Sequence, residues 1–186
     1  MRYREALAVG ARERDWSKLS GFNWSVLLQE QPQFADKCAW WKLNGFDWSE
    51  LLGEQPQFAN KCDWSKLDGW DWCGLLQLQP QFADKCDWSL FSGKSWMALL
   101  RAQPQFADKC DKWSELNGWD WSWLLIKRPQ FADNCDWWKL SGDDWGLLLV
   151  YQPQFAAKCD WSLLSVKDWS KLLSYQPQFA SKRKEV

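Results

Sequence analysis

Tryptophan and leucine recur along this chain at positions i, i+3 and i+4, and glutamine often follows at i+7. In the second copy these are Trp48, Leu51, Leu52 and Gln55. That spacing places four side chains on one face of a helix. The residue before each tryptophan is Asp47, Asp71, Asp120, Asp144 or Asp168, with Asn23 and Ser95 in the remaining copies. All are side chains that can take an orphan backbone N–H, so the pattern predicts a short helix whose N-cap is that residue.

After the glutamine comes proline, at Pro32, Pro56, Pro80, Pro104, Pro129, Pro153 and Pro177. Proline suits the first helical position, and the residue before it avoids the α region. The segment Pro-Gln-Phe-Ala-Asp-Lys-Cys is therefore predicted as a second helix of about two turns, with Phe34, Ala35 and Cys38 on one side in the first copy. The stretch Asp-Trp-Ser-Lys-Leu-Ser-Gly predicts one further helical turn. Asp63 would cap it, Trp64 and Leu67 would point inward, and Gly69 would end it in the left-handed region.

The prolines are 24 residues apart, except for one step of 25 created by Lys112. A fixed period of this length signals a repeat array. Elements this short are marginal alone, so stability must come from stacking one unit on the next. A strand reading is weaker, since alternation is not sustained and proline recurs within the unit. The expected fold is all-α: an α-solenoid of seven 24-residue repeats, with 3-10 turns admitted. Its repeats begin at Trp16, Trp40, Trp64, Trp88, Trp113, Trp137 and Trp161 and fill residues 16–184. Residues 1–15 are expected to form an N-terminal cap helix, and residues 185–186 a short tail. The seventh repeat departs from the pattern, with Val166 at the glycine position and Arg183 at the cysteine position, as a terminal cap would. Lys112 is expected to be a tolerated loop insertion.

The composition narrows the function. The 186 residues carry 23 basic and 24 acidic side chains, for a net charge of -1. Nucleic-acid binding needs a basic stripe, and anionic membranes attract polybasic segments. Neither partner is expected. There is no secretory signal pattern and no span-length apolar segment, so a cytoplasmic location is expected. A segment of a longer secreted chain is the other possibility.

The chain has no histidine. That removes the commonest general base and Ser-His-Asp or Cys-His catalysis. There is no Gly-rich phosphate loop. No enzymatic activity, catalytic residue or cofactor is expected. Six of the seven cysteines share one phase: Cys38, Cys62, Cys86, Cys110, Cys135 and Cys159. One cysteine per layer, with layers roughly 8–10 Å apart, cannot assemble a tetrahedral metal site or a disulfide. They are read as small apolar core residues, and no metal is expected.

Within the 24-residue unit, positions 7, 11, 14 and 15 vary most between copies, counting from the first tryptophan. Position 7 is Phe22, Phe46, Trp70, Lys94, Trp119, Asp143 and Lys167. The other three include Trp123, Ile126, Val150, Tyr151 and Tyr175. Positions 11, 14 and 15 share a helix face opposite the apolar one. Free drift explains the charged and small residues there better than the large apolar ones. Exposed apolar patches mark contact sites, and Trp and Tyr are favoured anchors. The candidate partner-binding residues are Trp70, Trp119, Trp123, Ile126, Tyr151, Tyr175, Phe22 and Phe46. Trp41 and Trp138 vary at position 2, on another side, as a second contact or as extra packing.

The motif Gln-Pro-Gln-Phe-Ala-Asp-Lys-Cys-Asp-Trp resembles that of tryptophan-rich 24-residue repeat arrays in uncharacterised bacterial proteins. The resemblance covers residues 16–184 and implies a bacterial origin but no activity. The unit length and short-helix style are similar to the leucine-rich repeat variant, as architecture only. The expected function is a non-enzymatic scaffold, read as a monomer, that binds a protein or peptide along the varied strip. A purely structural spacer, and carbohydrate binding through exposed tryptophans, are the alternatives.

Overall fold

Among the described residues, seven helices of ten residues repeat: α1 (Gly21–Glu30), α2 (Gly45–Glu54), α3 (Gly69–Leu78), α4 (Gly93–Ala102), α5 (Gly118–Lys127), α6 (Gly142–Tyr151) and α7 (Val166–Tyr175). A three-residue 3-10 turn precedes each, such as Trp40–Lys42. A 3-10 segment opening at the proline follows each, such as Pro56–Lys61. A short helix, α8 (Lys182–Glu185), ends the series. The structure is a computed structural model that describes residues 15–185; the N-terminal cap expected over residues 1–15 lies outside them except for Asp15. No strand occurs among the described residues. The architecture is an all-α solenoid in which neighbouring helices pack on one another. The chain divides into two compact bodies, Met1–Leu90 and Phe91–Val186. In the first, α2 packs against α1 and α3; in the second, α4 to α7 pack in succession.

Each helix starts three residues earlier than the tryptophan spacing predicted. The N-cap is position 5 (Ser20, Asn44, Asp68, Ser92, Asn117, Ser141 or Ser165), and position 8 is the third helical residue. The two form a reciprocal capping box in every helix. Asn44 Oδ1 accepts from the Asp47 N–H at 2.8 Å, and Asp47 Oδ2 accepts from the Asn44 N–H at 3.1 Å. Two orphan donors are satisfied at once, which explains why position 8 holds Asp, Asn or Ser.

The conserved-in-phase glycine does not end the preceding turn in the left-handed region, as expected from its place in the sequence. It is the first residue of the α-helix, and its role is close approach. A Cβ on Gly21, Gly45, Gly93, Gly118 or Gly142 would lie closer than 3.0 Å to the backbone carbonyl of position 3 in the following repeat. The colliding carbonyls belong to Lys42, Lys66, Glu115, Lys139 and Leu163.

Three rings form the apolar centre of a repeat. Trp40 stacks on Trp48 with centroids 5.4 Å apart and planes 9° from parallel, and Phe58 tilts against Trp40 at 5.4 Å. The same trio recurs as Trp64, Trp72 and Phe82, and as Trp137, Trp145 and Phe155. The helical tryptophan is fully buried, while its partner in the turn is half-buried. An inner helix is covered by a neighbour on each side, so more than one face is buried. Position 10 is thus in the core as Ser49, Ser122 and Gly146, and Ser25, Cys73 and Met97 are buried at the same position.

Candidate interaction surface

Recurrent polar residues join one repeat to the next. Position 16 is the helix C-cap rather than the end of the apolar face. Its amide reaches back to a carbonyl left open near the end of the previous helix. Gln55 Nε2 donates to Gln29 O at 2.7 Å, Gln79 to Gly53 O at 2.6 Å, Gln152 to Ile126 O at 2.8 Å and Gln176 to Val150 O at 2.7 Å. The second glutamine of the Gln-Pro-Gln motif supports the first: Gln81 Nε2 donates to Gln79 Oε1 at 2.6 Å. Arg128 takes the place of glutamine once and reaches the carbonyls of Arg101 and Ala102. Lysine at position 3 makes a second tie. Lys42 Nζ donates to Ser17 O at 2.7 Å and Leu19 O at 2.8 Å, and Lys66 and Lys139 repeat the arrangement.

These ties leave few side chains of an inner helix facing outward. Position 7 is exposed in every repeat, and so is position 15. In the first body Phe22, Phe46 and Trp70 stand 53%, 54% and 55% exposed in three successive repeats. In the second body Trp119, Tyr151 and Tyr175 are exposed. Trp123 and Ile126 are half-buried. Trp119 and Trp123 lie one turn apart on α5 with ring centroids 5.9 Å apart, and the Arg101 guanidinium lies over Trp123 at 5.4 Å. Val150, assigned by the sequence to the varied strip, is buried instead. Position 14 faces partly toward the neighbouring repeat, so it joins the packing when its side chain is apolar.

Charge along this face is mixed. Lys94 and Lys167 occupy position 7 in the fourth and seventh repeats, and Asp143 in the sixth. The carboxyl of Asp168 beside Asp143 pushes Asp143 above the ordinary carboxylate range. Burial pushes Asp168 up, but hydrogen bonds from Ser165, the bond shared with Asp143 and the charge of Lys167 together hold that carboxyl down.

The most exposed tryptophans are Trp41 and Trp138, at 76% and 80%. Each has its neighbouring lysine, Lys42 or Lys139, 5.5 Å from its ring centre. The sequence signal is Trp-Trp-Lys where other repeats carry Trp-Ser-Lys or a variant of it.

The cysteines offer no reactive centre. Burial pushes the thiols of Cys38, Cys62, Cys86, Cys135 and Cys159 up to about 12, and that of Cys110 up to about 11. Such thiols stay protonated near neutral pH and are poor nucleophiles. Cys73 is fully buried, and Gln77 Nε2 lies 3.1 Å from its sulfur. Among the described residues no three His, Cys, Asp or Glu side chains cluster as a metal site would require. No helix among them is long and apolar enough to cross a membrane.

No protein-family model, curated protein or solved structure matches this chain.

Proposed function

We propose that this protein is a non-enzymatic repeat scaffold, working in the cytoplasm, that binds a protein or peptide through side chains at positions 7 and 15. One observation carries the reading. Phe22, Phe46 and Trp70 occupy the same position in successive repeats, each more than half exposed, while the neighbouring position 11 changes from Val26 to Glu50 to Gly74. Large apolar side chains cost solubility on a surface and are favoured anchors in an interface. Trp119, with Trp123 and Arg101 beside it, supports a similar contact in the second body, where Tyr151 and Tyr175 add exposed aromatic area.

The test compares capture by the intact chain with capture by a Phe46→Ala, Trp70→Ala double variant, using extract from the native source. The reading expects a partner held by the parent and lost by the variant, with helicity and melting unchanged. Equal capture by both would contradict it.

Trp41 and Trp138 favour carbohydrate binding as a second reading. Each presents a broad ring face with a lysine stem alongside, a platform on which a sugar can stack. A glycan titration followed by tryptophan fluorescence would show a shift lost in Trp41→Ala and Trp138→Ala if this reading holds, and no shift across a broad set if it fails.

A further inference from the structure

We propose that position 6 is the gate for adding a layer to this solenoid. Val166 closes the exposed face of the seventh repeat against a further repeat, whether supplied by a longer array or by a second copy of this chain. Five glycines at this position sit where a Cβ would collide with the position-3 carbonyl of the next repeat. That carbonyl is backbone and has no rotamer by which to yield. Val166 places a branched side chain at the same point, and it is 75% exposed.

The rest of that face is built to receive a layer. The carbonyls that a following lysine would reach are those of Ser162 and Leu164, by analogy with Ser17 and Leu19 under Lys42. The carbonyl that a following glutamine would reach is that of Ser174, by analogy with Gln29 under Gln55. Ser170 is exposed where its counterparts Ser25, Ser49 and Ser122 are buried by the next layer. Leu173 is half-buried where its counterparts Leu28, Leu52, Leu125 and Leu149 are fully buried, so it adds uncovered apolar area. An open face with intact acceptors and apolar side chains is an invitation to end-to-end stacking. The side chain at position 6 is the element that withdraws it.

The experiment extends the chain by one repeat. A copy of residues 40–63 replaces Glu185 and Val186, with Arg183→Cys and Lys184→Asp restoring the usual joint. One version keeps Val166 and the other carries Val166→Gly. Hydrogen exchange is read on the amides of the added helix, and the original repeats serve as an internal record of folding. The proposal expects protection of the added helix with glycine and its loss with valine. Protection in both versions would overturn it, and so would lack of protection in both, because position 6 would then not decide whether a layer can dock.

Discussion

Lys112 Nζ donates to the backbone carbonyl of Phe91 at 2.6 Å. Phe91 is position 4 of the fourth repeat, the acceptor position that Lys42 and Lys66 reach in their preceding repeats from position 3. Position 3 of the fifth repeat is Glu115, which accepts from the Gly93 N–H at 3.0 Å and has no ammonium to offer. The inserted lysine therefore supplies the tie that the substitution removed. It is a compensating residue, and the expectation of a passive loop insertion understates it. In the same repeat, Asp120 is buried with its Oδ1 without a hydrogen-bond partner.

Removing this lysine has a defined cost. A hydrogen bond from a charged donor contributes about 1.5–3 kcal/mol, so Lys112→Met is expected to destabilise the array by roughly that amount. Deleting Lys112 while changing Glu115→Lys restores the ordinary joint and should recover most of the loss. Urea unfolding of these two variants and of the simple Lys112 deletion, beside the parent, checks this. A deletion that is harmless without the Glu115 change would show that Lys112 is not a tie.

Asp71, at position 8 of the third repeat, makes a pH prediction. Burial pushes Asp71 above its ordinary value of 3.8; the hydrogen bond from the Asp68 N–H opposes this, and the charges of Asp68 and Asp47 reinforce it. A carboxyl raised on folding binds more protons in the native state. Its stabilising contribution is present below the unfolded value and is lost as pH rises through the folded value. Asp71→Asn keeps an oxygen acceptor for the Asp68 N–H, as Asn23 does for Ser20 in the first repeat. The variant should match the parent well below pH 4 and be more stable at neutral pH. Melting temperature against pH reads the difference, and a variant less stable at neutral pH would refute the assignment.

Much of the fold was legible in the sequence because the unit is repeated seven times. The prolines set the register, and the Trp-Leu-Leu spacing located each helix. The start of each helix was misjudged because Asp at position 8 and Ser or Asn at position 5 are both good caps. Only the reciprocal pair, spaced as a capping box, tells them apart. The glycine was misread for a related reason. A sequence shows that a Cβ is absent but not whether a positive φ or a neighbouring carbonyl requires it. The burial of Ser25, Ser49 and Val150 was hidden because an amphipathic reading assumes one covered face, whereas an inner layer has two.

The surface was legible in part. Phe22, Phe46, Trp70 and Trp119 stand out where the variation between copies placed them, on the exposed side of position 7. Trp123 and Ile126 are drawn partly inward, since positions 11 and 14 touch neighbouring side chains such as Arg101. The ties made by Gln79 and Lys66 could not be read, because donor and acceptor are 26 and 23 residues apart and the acceptors are backbone atoms common to every residue.

The central claim is that invariant positions hold the layers together while the varied, outward positions do not. Trp70 and Trp72 test it most directly, since they are two residues apart on α3 and the same substitution can be made at both. Trp72 is 1% exposed and stacks on Trp64, whereas Trp70 is 55% exposed. Trp72→Ala should cost about 3–5 kcal/mol, as for other buried large aromatics, and Trp70→Ala about 0.5 kcal/mol or less, as for surface positions. Equilibrium urea unfolding of both variants beside the parent gives the two numbers. Comparable losses at the two sites would contradict the account.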